Sequence, residues 1–90
     1  MPTYIVSYEV QDEATADGLN SLIKASGDAM LVLDKFWLVD TVKSAKQLRD
    51  EMKDLVSLGD RAVVIKAGAG AAWSNIRGEN KWVIDHLSSS

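Results

Sequence analysis

The chain is predicted to be a two-layer α+β domain, on three observations. Stretches of alternating apolar residues are interleaved with two stretches of three-to-four-residue apolar spacing, the order reads β-α-β-β-α-β, and the middle strand pair is joined by only two residues. Residues Thr3 to Val10 (T-Y-I-V-S-Y-E-V) set Tyr4, Val6, Tyr8 and Val10 against Ile5, Ser7 and Glu9, which predicts a first strand with one greasier face. The acidic residues Asp12, Glu13 and Asp17 then open a first helix whose apolar positions are Ala16, Leu19, Leu22 and Ile23. Its early carboxylates suit the positive end of the helix dipole, Lys24 suits the negative end, and Gly27 follows the last turn.

Ala29 to Leu33 and Phe36 to Thr41 are predicted as two strands of a tight hairpin turning at Asp34-Lys35, a pair that leaves the turn type open. Ser44 and Gln47 have the spacing of a capping box, so the second helix starts there. Its apolar stripe of Leu48, Met52, Leu55 and Val56 runs toward a stop at Leu58-Gly59. Asp60-Arg61 leads into A-V-V-I-K-A, a β-branched fourth strand ended by Gly68-Ala69-Gly70. Asn80 is placed to cap a short terminal helix carrying Trp82, Val83 and Leu87.

With right-handed crossovers, this order predicts a ferredoxin-like βαββαβ sandwich. It has a four-stranded antiparallel sheet of order 4-1-3-2, both helices on one face, and a C-terminal helical segment. One domain spans residues 1–90, with an appendix over 69–90. A chain of 90 residues buries roughly 60 to 65 % of the surface its unfolded form exposes, so it holds a single core and gains from self-association. If the helices cover Tyr4, Val6 and Tyr8, the bare face is expected to present Ile5, Ser7 and Glu9 with Val64 and Lys66. That mixture favours a sheet-to-sheet homodimer with two-fold symmetry. Trp73 and Trp82 are expected to fold over a sheet edge or onto the partner, the appendix wrapping its own core or exchanging between protomers.

Composition removes several chemistries. With no cysteine there are no disulfides, thiolate metal clusters or thiol catalysis, and a single His rules out a multi-histidine metal site within one chain. The expected metal chemistry is therefore that of oxygen ligands. The absence of a long apolar run and of a basic N-terminal region predicts neither a membrane span nor a signal peptide, hence a cytoplasmic protein.

Four fragments carry a resemblance: T-Y-I-V-S-Y-E at 3–9, F-W-L-V-D-T at 36–41, S-A-K-Q-L-R-D at 44–50, and G-A-A-W at 70–73 followed by K-W-V-I at 81–84. Together they resemble the small bacterial SinR-like proteins, distant relatives of the CRISPR-associated adaptation endoribonuclease family. The resemblance implies a ferredoxin-like homodimer without established activity on the SinR-like side. On the nuclease side it implies an acidic residue after a tyrosine at the end of the first strand, binding a divalent metal across the dimer interface. Glu9, after Tyr8, stands where that family has Asp.

Glu9 is accordingly the candidate ligand for Mg²⁺ or Mn²⁺. Two copies brought together across a two-fold would share a proton, bind a basic side chain or clamp a hard cation, and a clamped cation would activate water against a phosphodiester. Parallel pairing of the first and third strands would bring Asp40 alongside. Lys43, Lys46, Arg49 and Lys53 form a second candidate, a basic edge for nucleic-acid phosphates. Asp50, Glu51 and Asp54 interrupt it, and the net charge of −3 gives no long-range pull on a polyanion, which favours a solvated helix face with pairs such as Lys46 to Asp50. Gly68-Ala69-Gly70 follows the last strand rather than the first, so it reads as a turn and not as a dinucleotide fingerprint. His86 lies beside Asp85 with no second histidine, and Ser7, Ser21, Ser26 and Ser74 have no paired base in sequence.

Overall fold

The computed structural model describes residues 2–68, 74 and 76–87, in the order β1 (Thr3–Glu9), α1 (Glu13–Ser26), β2 (Asp28–Leu33), β3 (Phe36–Asp40), α2 (Ala45–Lys53), β4 (Arg61–Lys66) and α3 (Asn80–Leu87). The four strands form one sheet of order β2-β3-β1-β4, every pairing antiparallel, so the fold is ferredoxin-like. β2 and β4 form its two edges.

The first two helices are started by the chemistry their sequences announce. Asp12 caps α1, accepting from the Ala14 backbone N–H and the Thr15 hydroxyl, while Ser44 and Gln47 close a reciprocal capping box on α2. Leu19 and Ile23 from α1, and Leu48 and Met52 from α2, pack on Tyr4, Val6, Tyr8, Trp37 and Val39 to make the main core. The β2–β3 turn has positive φ only at Lys35 (60°), so it is not the I′ turn, which needs two such residues. The Ser7 hydroxyl holds it by donating to the Lys35 carbonyl.

α2 ends at Lys53, a turn earlier than the apolar stripe predicts. The Leu55 N–H bonds back only three residues to the Met52 carbonyl, tightening the last turn. The chain then reverses through Ser57 and Asp60, with Gly59 at φ 95°, which leaves Leu55 and Leu58 exposed. α3 begins with Asn80 as its first residue rather than its cap.

Three further expectations are corrected by the register. β1 and β3 are antiparallel, with Thr3 opposite Asp40 and Ser7 opposite Phe36, so Asp40 lies at the end of β1 remote from Glu9. Val64 pairs with Val6 and Lys66 with Tyr4, which places both on the helix-covered face, because directly opposed residues share a side of the pleat. The residues of β4 on the second face are Arg61, Val63 and Ile65. Finally, that face is not bare. α3 of the same chain lies over its β2–β3 half and forms a second cluster of Val32, Leu38 and Val83, flanked by Ile5, Met30, Phe36 and Trp82.

Candidate functional site

The second sheet face divides in two. Over β2 and β3 it is roofed by α3. Over β1 and β4 it is open, and Val63 and Ile65 are 44 % and 51 % exposed, with Ile84 of α3 49 % exposed. Ile5, opposite Ile65, marks the boundary between the halves and is half-buried against the second cluster. Ser7 lies on the same face, half-buried by its bond to the hairpin turn.

Glu9 ends β1 opposite Arg61, the first residue of β4. Glu9 Oε1 and Arg61 Nη1 are 3.7 Å apart, and the two side chains are 78 % and 80 % exposed. They border a shallow cavity of about 200 Å³ lined also by Ser7, Tyr8, Ala62 and Val63. Glu9 thus has a guanidinium beside it and, among the described residues, no second carboxylate paired with it. Among the described residues no three His, Asp or Glu side chains are arranged to hold a metal ion.

The basic candidates do not converge. Lys43 is drawn inward, donating to Glu51 at 2.8 Å and to the Ser26 hydroxyl. Arg49 forks onto the neighbouring Asp50, and this hydrogen bond holds the Asp50 carboxyl below the usual carboxylate range; Lys46 and Lys53 are exposed. Asp50 therefore pairs with Arg49 rather than with Lys46. The face is laced with local ion pairs, as the alternating charges imply.

The most ordered polar group on the second face is one that spacing did not single out. Asp28 and Asp40 are directly opposed across β2 and β3. His86 of α3 brings its Nε2 to 3.2 Å from Asp28 Oδ2 and 3.6 Å from Asp40 Oδ2, while its Nδ1 lies 2.8 Å from the Trp82 carbonyl. The Trp82 indole stacks on the imidazole at 3.8 Å and donates its Nε1–H to Asp28 Oδ1. Trp82 is therefore engaged with its own sheet. Trp73 lies outside the described residues. The only readable signal for this cluster was that His86 follows Trp82 by four residues, one helical turn. Its acidic partners come from strands more than 40 residues away in sequence.

No family model and no curated protein matches the chain. Among solved structures, a hypothetical protein from Thermus thermophilus is similar, at a TM-score of 0.67 and 22 % identity, over 83 % of this chain and 93 % of that one. At that identity the likeness supports the fold alone. No described helix is long and apolar enough to cross a membrane.

Proposed function

We propose that this chain is a self-associating module, a homodimer formed through the second sheet face, in keeping with the resemblance to the SinR-like proteins. The observation that supports this reading is the open strip of Val63 and Ile65, two large apolar side chains about half exposed, joined through Ile5 to an apolar cluster. A two-fold contact must be self-complementary. The strip ends in Glu9 and Arg61, opposite charges side by side and well exposed, so each copy offers the other both halves of an ion pair.

Light scattering coupled to size-exclusion chromatography tests the proposal. The wild type is expected at twice the monomer mass at micromolar concentration, and Val63→Glu or Ile65→Glu at the monomer mass with the fold retained. A wild type that stays monomeric across the concentration range overturns it. The alternative reading is a divalent-metal-dependent nuclease whose cation is held by Glu9 from each of two copies; Glu9 is 78 % exposed at the end of that strip, and cleavage of RNA or DNA with Mg²⁺ or Mn²⁺ that Glu9→Gln abolishes would support it.

A further inference from the structure

The half of the second face under α3 is as apolar as the open half and continuous with it. Ile5 joins Ile65 on one side to Leu38 on the other through the β4-β1-β3 pairings. α3 is a helix of eight residues, and among its described side chains Val83, 3 % exposed, is the most deeply buried. Beside this apolar contact the helix makes polar ones. A carbonyl can only accept, so the 2.8 Å contact with Trp82 makes His86 Nδ1 the donor, and Nε2 meets two carboxylates. Like charges directly opposed on neighbouring strands repel, and Asp40 Oδ1 is buried without a hydrogen-bond partner, so the sheet alone does not satisfy this corner. The charged residues at the outer side of the clasp, Lys81 and Asp85, pair with each other at 3.0 Å, exposed.

We infer that α3 is an autoinhibitory cover, clasped by His86 to Asp28 and Asp40, and that a second copy's sheet takes its place when the clasp opens. The inference rests on the self-association reading and extends it to the regulation of the same face. Two features point to a second copy as the occupant. With α3 displaced, Ile5, Met30, Phe36 and Leu38 merge with Val63 and Ile65 into one apolar surface across all four strands, continuous with the strip already assigned to the contact. The acidic corner at Asp28 and Asp40 also lies diagonally across the sheet from Arg61, at the opposite edge and the opposite strand end. Two such sheets packed face to face in the orthogonal arrangement would lay each acidic corner on the other's arginine.

The experiment measures the self-association constant by analytical ultracentrifugation and the amide exchange of α3 on the same full-length samples. The samples are wild type, His86→Ala, Val83→Ala, and His86→Ala combined with Ile65→Glu. If the covered state is the resting one, apparent affinity is lowered by the fraction that is open, so both single variants are expected to associate about tenfold or more tightly than wild type. They should show unprotected α3 amides, and the added Ile65→Glu should abolish association. Unprotected α3 amides with unchanged or weaker association overturn the cover and leave the strip reading intact. Unchanged α3 protection in both single variants overturns the clasp. A monomeric wild type overturns the strip reading, and an associating His86→Ala beside it supports the cover alone. Monomers throughout overturn both.

Discussion

The Tyr8 hydroxyl donates to Asn20 Oδ1, linking the core face of β1 to α1, and the Trp37 indole N–H donates to the same oxygen from β3. One helical amide thus satisfies two aromatic donors on neighbouring strands. Asn20→Ala is expected to leave both without a partner and cost about 1–3 kcal/mol, whereas Tyr8→Phe removes donor and need together and costs about 1 kcal/mol. Urea denaturation gives both values, and equal losses would contradict the shared-acceptor account.

Alkaline pH tests the same network differently. Burial pushes the Tyr8 hydroxyl above its ordinary range, the polar side chains of Asn20 and Trp37 opposing the rise and Asp34 and Asp17 adding to it. An acid whose folded pKa is raised stabilises the fold fully below its unfolded value of about 10, and that contribution is lost as pH rises through the folded value. Absorbance at the tyrosinate band, taken as wild type minus Tyr8→Phe, should therefore titrate above the unfolded chain. Stability should fall in the same window.

Gly27 joins α1 to β2 as a single residue. A Cβ there would collide with the Asp40 carbonyl oxygen, a backbone atom that cannot rotate aside. Gly27→Ala is expected to cost at least about 1–3 kcal/mol through forced displacement of the main chain. Its thermal midpoint should lie well below that of Gly78→Ala, where the obstructing atoms belong to the flexible Met30 side chain.

The α2 capping box has a separable value. Ser44→Ala should destabilise by about 1 kcal/mol and Ser44→Gly by only a few tenths, as read by circular dichroism melts.

Glu9 should behave as a surface residue and not as a ligand. Glu9→Gln is expected to leave the thermal midpoint nearly unchanged, and Mg²⁺ or Mn²⁺ should shift neither protein. A metal-induced rise in the wild-type midpoint that Glu9→Gln abolishes would favour the nuclease alternative.

Strand order, helix starts and the main core were legible because they depend on local signals: alternation at Tyr4, Val6 and Tyr8, the Leu48 and Met52 stripe, and the Ser44-Gln47 box. The face assignment of β4 was not. A one-residue choice of register moves every side chain to the other side, and A-V-V-I is apolar on both, so nothing local separates Val64 from Val63 and Ile65. The end of α2 was misread because Leu55 continues the apolar spacing while the backbone has already turned. The Asp28-His86-Asp40 corner was hidden for another reason. It exists only once antiparallel pairing has opposed two carboxylates and α3 has returned across them, and no spacing rule spans such distances.

Placing β4 at the rim of the sheet has a cost outside the native state. Its Ala62-Val63-Val64-Ile65 run combines high β-propensity with no charge, the composition of a segment that templates fibrils when an edge is free. Arg61 and Lys66 bracket that run as gatekeepers. Neutralising both would remove the electrostatic guard against stacking, so colloidal behaviour in concentrated solution depends on two residues that contribute little to the core.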